Sequence, residues 1–338
     1  MEKVRLGRTN LMVTKTSFGG LPIQRIPVDD ARDILRAAYA AGINFFDTAR
    51  GYSDSEEKIG YALSDVRDDI IIATKTLATD RESFCKDLET SLKNLRTDCI
   101  DIIQLHNAAS IPDPNDSDSA YREALEAKES GAARFVGITS HRLTVAREAV
   151  ESGLFDTLQY PLSPLSSPEE LALVDMCRER DVGLIAMKGL CGGLFINVRA
   201  AFAFFRQYDS VVPVWGIQRQ EELEEFIGLE AAPPVLDDDM CQAIDAEREV
   251  LSGDFCRGCG YCLPCPAEIP IPMAARMKSL LRRAPHEPFT SDEWREKMAR
   301  IRDCTDCGQC RERCPYDLDT PRILKEMLED YESFCATH

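Results

Sequence analysis

The sequence contains no long uncharged apolar segment, and no run approaches the length of about 18 residues that marks a membrane-spanning helix. Behind Met1 it also lacks a basic stretch followed by an apolar run, which is the pattern of a secretory signal. These absences argue against a transmembrane helix and lead us to expect a cytoplasmic protein.

Basic residues are few compared with acidic ones. The 338 residues include 40 Lys and Arg against 58 Asp and Glu, which gives a formal net charge of −18. A surface of this sign repels polyanions. We therefore expect no nucleic acid and no membrane partner, and a solvated acidic surface is a sufficient interpretation of the charge.

A Gly-x-Gly-x-x-Gly turn, which is typical of dinucleotide-binding open sheets, is also missing. Instead, apolar strand-like segments alternate eight times with helical ones, behind a short hairpin at residues 3–14. This alternation predicts an α/β fold, a parallel (β/α)8 TIM barrel; a doubly wound open sheet is the alternative on pattern alone. The predicted strands are residues 16–20, 43–47, 70–74, 100–105, 135–139, 157–160, 182–187 and 211–215.

Four polar side chains stand at the ends of three consecutive predicted strands. The second strand ends at Asp47 and the loop behind it carries Tyr52, while the third strand ends at Lys75 and the fourth at His106. The carboxyl ends of barrel strands share one rim, where catalytic groups lie. Each residue alone would pass for an ordinary loop residue, but their order on successive strands indicates a catalytic site.

These residue types suit the reduction of a carbonyl group. A carbonyl that receives a hydride needs a proton, and a free Tyr with a pKa of about 10 is a weak acid. An ammonium about 4 Å away is worth roughly 4 kcal/mol at an effective dielectric of about 20, or about three pKa units. We therefore expect Lys75 to lower the pKa of Tyr52. Asp47 would keep Lys75 charged, and His106 would donate to the carbonyl oxygen.

The segment Asp47-Thr48-Ala49-Arg50-Gly51-Tyr52, together with Lys75 and His106, resembles the aldo-keto reductase family over roughly residues 1 to 230. The resemblance implies an oxidoreductase that transfers a hydride between NADP(H) or NAD(H) and an aldehyde or ketone. Its partner would be a small-molecule carbonyl or alcohol substrate. The general acid would be Tyr52, with Asp47, Lys75 and His106 completing the catalytic tetrad.

The same resemblance assigns the nicotinamide end of the cofactor site. Residues after the fifth and sixth strands hold the carboxamide, and these positions are Thr139, Ser140 and Gln159. Met187 stands after the seventh strand, where the family has a Tyr that stacks on the nicotinamide ring. A methionine can pack against the ring through its sulfur.

By the same resemblance, the pyrophosphate and adenosine of the cofactor would lie at the loops after the seventh and eighth strands. Gly192, Gly193 and Gly216 would allow the backbone to approach the pyrophosphate. Arg219 and Glu225 occupy the adenosine end, in a segment with one Arg and four Glu. The family usually binds NADP, and the resemblance therefore favours NADP. Because an acidic cluster repels the 2′-phosphate of NADP, NAD stays open as the alternative.

Cysteine is abundant and unevenly distributed. Of the 14 cysteines, eight fall between Cys256 and Cys314, in two Cys-x2-Cys-x2-Cys runs that each continue to a Cys-Pro pair. The second run has the spacing of two-cluster ferredoxins, and the first is one residue short before its last Cys. Two structural zinc sites are the alternative. In the ferredoxin pattern the fourth cysteine of each run ligates the other cluster. The predicted sets are Cys256, Cys259, Cys262 and Cys314 for one [4Fe–4S] cluster, and Cys304, Cys307, Cys310 and Cys265 for the other.

The sequence thus predicts three parts: a barrel at 1–232, a linker and bridging helix at 233–252, and a mainly helical ferredoxin-like domain at 253–338. Two further functions stay open. In the first, the chain is an electron-transfer protein in which the clusters carry the electrons and the barrel docks a partner. This hypothesis implies an external electron carrier. Alternatively, the clusters could serve a redox sensor with an idle barrel.

Overall fold

The computed structural model describes residues 1–250, 255–283 and 286–337. The predicted domain boundary at 252–253 lies outside these residues, as does residue 251 of the predicted bridging helix. The chain forms two compact units. The first comprises Met1–Gly189 and Arg199–Asp237, and the second Leu190–Val198 and Asp238–His338. The predicted boundary at 232 stays a prediction.

The first unit is a closed barrel of eight parallel strands in the order β10-β3-β4-β5-β6-β7-β8-β9. This confirms the predicted (β/α)8 barrel and excludes the open sheet. The strands are β1 (Lys3–Arg5), β2 (Met12–Thr14), β3 (Ser17–Gly19), β4 (Phe45–Asp47), β5 (Ile71–Thr76), β6 (Ile100–Leu105), β7 (Ala133–Thr139), β8 (Thr157–Pro161), β9 (Gly183–Met187) and β10 (Val211–Gly216).

The hairpin of β1 and β2 contributes to the barrel core. Val4 pairs with Val13 across the two antiparallel strands. Both side chains are buried in one cluster with Phe45, Ile102 and Ile185 from the barrel strands. The hairpin therefore closes one end of the barrel, as predicted, because its apolar residues alternate toward the interior.

Helices follow the barrel strands as the alternation predicts. Their starts are encoded locally: Ser167 caps the sixth helix in a capping box with Glu170, and Asp80 caps the third through the backbone N–H of Ser83. The seventh helix is shorter than the predicted 195–205. The helices are α1 (Val28–Ala40), α2 (Ser55–Leu63), α3 (Arg81–Leu95), α4 (Ala120–Ser130), α5 (Leu143–Ser152), α6 (Pro168–Glu179), α7 (Val198–Arg206) and α8 (Gln220–Ala231).

Every regular element in the described part of the second unit is a helix, which confirms the mainly helical prediction. These helices pack around a buried apolar core that includes Ile271, Met277, Met298, Leu324 and Tyr331. The helices are α9 (Asp238–Val250), α10 (Ile271–Ala274), α11 (Met277–Arg283), α12 (Asp292–Ala299), α13 (Gln309–Glu312) and α14 (Thr320–Thr337). In the described part of the chain, no helix combines the length and apolar content needed to cross a membrane.

Candidate active site and cysteine cavities

An ion pair between neighbouring strands forms the base of the rim site. Asp47 ends β4 and Lys75 lies in β5, and Lys75 Nζ is 2.7 Å from Asp47 Oδ2. The same ammonium donates to the carbonyl oxygen of Thr48 at 2.5 Å. Lys75 is 1% exposed and Asp47 4% exposed. Two oxygen acceptors thus hold a buried ammonium in one position.

Two aromatic rings lie beside this pair. Lys75 Nζ is 5.1 Å from the centre of the Tyr52 ring. The Tyr52 ring meets the His106 ring edge-on, with 5.8 Å between centroids and 78° between planes. Both side chains are half-buried, so they are partly open to solvent at the rim. The structure therefore brings together all four residues that the sequence singles out.

The electrostatics differ from expectation at Tyr52. Burial, with a smaller contribution from the negative charge of Asp47, raises the pKa of the phenol well above its usual value. We expected Lys75 to lower it, and that expectation is wrong. Asp47, with Oδ2 2.7 Å from Lys75 Nζ, brings a negative charge that acts against the lowering of the pKa expected from the ammonium. Tyr52 is therefore a protonated phenol throughout the neutral range.

The other two titratable groups are also shaped by burial. Burial lowers the pKa of Lys75, and Asp47 opposes that shift through its charge and its hydrogen bond. Burial, aided by the charge of Lys75, lowers the pKa of His106 to about 3. A neutral imidazole at His106 can donate one N–H bond, and with Tyr52 it offers two donors on uncharged groups.

Two functional candidates escaped the sequence analysis. Gln104 is fully buried on β6 and its amide nitrogen lies 3.5 Å from Asp47 Oδ1. Glu56 is a buried carboxylate in the first turn of α2. Strand and helix periodicity could have found both. Gln104 lies two residues before His106 on the same strand face, and Glu56 shares a helix face with Ile59.

The predicted nicotinamide positions lie at the ends of three adjacent strands. Thr139 Oγ1 accepts the backbone N–H of Asn107 at 2.7 Å, and Ser140 Oγ donates to Ala108 O at 3.1 Å. These two hydroxyls thus hold the loop after β6. Gln159, paired with Thr139 across β7 and β8, is 1% exposed, and its Oε1 has no hydrogen-bond partner among the described residues. That oxygen is an acceptor of the kind a carboxamide NH2 requires.

Met187 ends β9, where it is half-buried and packs on the apolar core of the barrel. The Met187 side chain therefore offers an apolar contact surface for a nicotinamide ring, but it lacks the aromatic face of the Tyr that the resembled family has at this position. Gly216 ends β10 and is exposed, and a Cβ placed on it would lie 3.0 Å from Pro22 Cγ. The glycine thus keeps this strand end open.

The predicted adenosine end carries little available positive charge. Arg219 Nη2 forms an ion pair with Glu222 Oε1 at 2.7 Å. Glu225 is exposed on α8, and the next residue, Phe226, is buried and stacks on Trp215 at 4.7 Å between centroids. The Phe226 side chain of α8 therefore belongs to the barrel core.

The loop after β9 belongs to the second unit. Gly192 has a φ of +69° and its carbonyl oxygen accepts a 2.8 Å hydrogen bond from Arg276 Nη1. A Cβ on Gly192 would lie 3.2 Å from the carbonyl oxygen of Arg257. The glycines at 192 and 193, predicted to admit a pyrophosphate, thus lie in a segment that Arg276 holds.

Each predicted set of four thiols lines one cavity of the second unit. The first cavity is bordered by Cys256, Cys259, Cys262 and Cys314. The second is bordered by Cys265, Cys304, Cys307 and Cys310, with Cys262 also on its wall. The last cysteine of each run thus joins the other run's cavity.

The cavity walls have the character of cluster sites. The backbone N–H of Gly258 points at Cys256 Sγ at 3.4 Å. Cys314 is buried at the first cavity, whereas Cys307 is exposed at the second. Among the described residues, no three Cys, His, Asp or Glu side chains converge as closely as one metal ion requires. Four thiols around a cavity are a donor set that fits a [4Fe–4S] cubane.

Comparison with known protein families gives two matches. The model of the Aldo/keto reductase family matches residues 14–201, more than half of the 338 residues. The model of the 4Fe-4S dicluster domain matches residues 255–319. The two matched segments cover the rim residues and both cysteine runs, respectively.

Individual relatives agree with the first match. The chain is 32% identical over 212 residues to L-galactose dehydrogenase of Arabidopsis thaliana, covering 56% of this chain and 65% of the relative. It is 27% identical over 211 residues to aldo-keto reductase YhdN of Bacillus subtilis, covering 57% and 60%. The chain therefore spans less than two thirds of the length of these curated relatives.

Solved structures resemble the barrel. The holo form of aldo-keto reductase AKR11C1 from Bacillus halodurans superposes with a TM-score of 0.63 and 24% identity, covering 73% of this chain and 96% of that one. At this identity the likeness shows the fold alone.

Proposed function

Because the chain belongs to the aldo/keto reductase family and carries a C-terminal 4Fe-4S dicluster domain, we propose that its barrel is an NAD(P)-dependent carbonyl reductase. The substrate would be a small aldehyde or ketone, or the corresponding alcohol in the reverse direction. The observation that carries the proposal is the group of Asp47, Lys75, Tyr52 and His106, built around the 2.7 Å ion pair at one barrel rim.

Each rim residue has a part in this proposal. Tyr52, held protonated by burial, donates its proton to the developing alkoxide. The neutral His106 donates an N–H bond that positions the carbonyl oxygen. Lys75 provides a fixed positive charge under the Tyr52 ring, and Asp47 keeps that ammonium in place.

A nicotinamide cofactor fits the buried oxygen of Gln159, which would accept from its carboxamide, with Thr139 and Ser140 beside it. When bound, NAD(P)H supplies the hydride. Met187 would contact the ring, Gly216 would border the pyrophosphate, and Arg219 and Glu225 would border the adenosine. Since Glu222 already pairs with Arg219, the proposal includes NADH as well as NADPH.

The test is Tyr52→Phe, assayed anaerobically with simple aldehydes and either NADPH or NADH. Loss of the proton donor should lower kcat at least about 10²-fold, while nicotinamide binding, followed by fluorescence quenching, stays intact. Tyr39→Phe is the matched control, because Tyr39 bonds Asp69 on the surface, away from the rim. An unchanged kcat in Tyr52→Phe would reject this role for the tetrad.

We further propose that the two cysteine cavities each hold one [4Fe–4S] cluster, with the ligand sets that line them. Such clusters carry one electron each. Cluster cysteines must be kept from forming disulfides, which is consistent with a reducing compartment and hence with the cytoplasm.

A second candidate function is electron relay to an external carrier, favoured by one observation: Cys307 is exposed at the second cavity. Hydride transfer moves two electrons together, so exchange between single-electron clusters and nicotinamide needs a converter such as a flavin. The test is to reduce the clusters with dithionite, remove the excess and add NAD(P)+. Two reduced clusters and one proton would yield one NAD(P)H. Its formation without added flavin would show that the clusters pass electrons to nicotinamide as the external carrier, whereas clusters that stay reduced would exclude nicotinamide as that carrier.

A further inference from the structure

A buried carboxylate lies behind the rim site. Glu56 is 1% exposed and comes four residues after Tyr52, in the first turn of α2. Its Oε1 accepts hydrogen bonds from Thr74 Oγ1 at 2.6 Å and from Ser91 Oγ at 2.7 Å. Its Oε2 accepts from Asn94 Nδ2 at 3.2 Å. A buried charge is costly unless it is bonded in this way.

These bonds join three elements through one side chain. Thr74 directly precedes Lys75 on β5, Ser91 lies on α3, and Glu56 itself lies in the first turn of α2. The cation paired with Glu56 is Arg50, whose Nη1 lies 3.9 Å from Oε2. The backbone N–H of Arg50 in turn donates to the carbonyl oxygen of Lys75 at 2.9 Å. Glu56 is therefore connected twice to the strand that carries Lys75.

The residue before Glu56 fixes the Tyr52 loop. Ser55 Oγ bonds Thr48 Oγ1 at 2.8 Å and donates to Gly20 O at 2.8 Å. The backbone N–H of Ser55 donates to the carbonyl oxygen of Tyr52 at 2.8 Å. A shift of the first turn of α2 would therefore move Tyr52 relative to the strand ends.

We propose that Glu56 is a positioning residue for the rim chemistry. It fastens the Tyr52 loop to the Lys75 strand and supplies a second negative charge for the Lys75 ammonium. This inference rests on the proposed carbonyl reductase function and deepens it.

The charges around Lys75 indicate the direction of the effect. Burial lowers the pKa of Lys75, and both Asp47 and Glu56 act against that shift. In the described part of the chain, Glu56 forms its ion pair with Arg50, and the β5 and α3 side chains that donate to the Glu56 carboxylate are neutral. Removal of the Glu56 charge should therefore let Lys75 lose its proton at a lower pH.

The decisive variant is Glu56→Gln, which keeps the size and most hydrogen bonds but removes the charge. The alkaline limb of the kcat profile should move to lower pH, and kcat measured above that limb should fall about tenfold. The Michaelis constant for the nicotinamide should stay unchanged. Glu57→Gln is the matched control, since Glu57 is the next residue on α2 and is exposed.

A readout independent of turnover separates this inference from the proposed function. In protein labelled with 13C at the lysine Cε, the Lys75 signal can be assigned with Lys75→Met, and its midpoint of titration should fall in Glu56→Gln. If the protein shows no carbonyl turnover but the Lys75 midpoint still falls in Glu56→Gln, the proposed function is wrong and the effect of the Glu56 charge on Lys75 is supported. A lower melting temperature with an unmoved Lys75 midpoint would overturn the inference.

Ser91→Ala is a second test of the inference that can be used if Glu56→Gln does not fold. It removes one hydrogen bond and keeps the carboxylate charge. It should lower kcat without moving the Lys75 midpoint, because only the fastening is weakened. An unchanged kcat in a folded Ser91→Ala protein would contradict the fastening role.

Discussion

Substitution of Asp47 by Asn tests the buried ion pair that the rim site is built on. The pair has a 2.7 Å separation with both side chains nearly inaccessible. At an effective dielectric of about 20, the gross attraction at that distance is about 6 kcal/mol. The net loss is smaller because the stranded Lys75 can give up its proton. Breaking a buried pair of this kind costs about 3 kcal/mol or more, which is the expected loss of unfolding free energy at pH 7.

The pH dependence of this loss follows from Lys75. Burial lowers its pKa from the ordinary value of 10.5 in the folded protein, so the folded state binds its proton less tightly than the unfolded state. Asp47→Asn removes the main opposing interaction and lowers the folded pKa further. Once Lys75 is neutral in the folded variant, only the unfolded state binds its proton. The loss of unfolding free energy in the variant then decreases by about 1.4 kcal/mol per pH unit as the pH rises. The difference from the parent protein should therefore shrink between pH 7 and pH 9.

The assay is urea unfolding followed by tryptophan fluorescence. The chain has two Trp, and Trp215 is buried among Phe202, Phe205 and Phe226 of the barrel unit. A Trp294→Phe background therefore makes the signal report on the barrel alone.

Asp29→Asn is the control for this experiment, because it breaks a solvent-exposed ion pair with Arg32, and exposed pairs contribute little to stability. A loss in Asp47→Asn that is no larger than the control, and independent of pH, would refute the reasoning about the pair.

Three further predictions concern other parts of the chain. Because burial lowers the pKa of His106 to about 3, kcat should show no inflection near pH 6.5, and the unfolding free energy should fall as pH drops from about 6.5. Protein purified anaerobically should be brown with about eight irons per chain, and Cys314→Ser should lose about half of them; zinc without iron would contradict this. Gly60→Ala should lower barrel stability by about 2 kcal/mol or more, since its Cβ would lie 2.1 Å from Asn94 O; a neutral effect in urea unfolding would count against that packing.

The second unit has an apolar core of its own in addition to its cysteines. Ile271, Met277, Met298 and Leu324 form a buried core beside the thiols. Buried apolar side chains contribute about 1.5–3 kcal/mol each, so this core adds folding energy to whatever the metal-bound thiolates supply.

The fold and the choice of rim residues could be predicted from the sequence. Eight alternations of strand and helix character are local patterns, and the closed parallel barrel follows from them. Because strand carboxyl ends share a rim, chain order alone brought Asp47, Lys75 and His106 together. The ferredoxin spacing similarly predicted the cross-paired thiols, since ligand loops are short and their order is fixed by the chain.

Tertiary structure alone decided the electrostatics and the partners. The direction of the Tyr52 pKa shift depends on how deeply the folded chain buries the phenol and, to a smaller extent, on the nearby charge of Asp47, and no local pattern contains either. The pairing of Arg219 with Glu222 and the stacking of Phe226 on Trp215 likewise depend on side-chain placement. The bonds of Glu56 to Thr74 and Ser91 span 18 and 35 positions of sequence. Periodicity determines which face a residue occupies, but only the folded chain determines which charges and donors meet there.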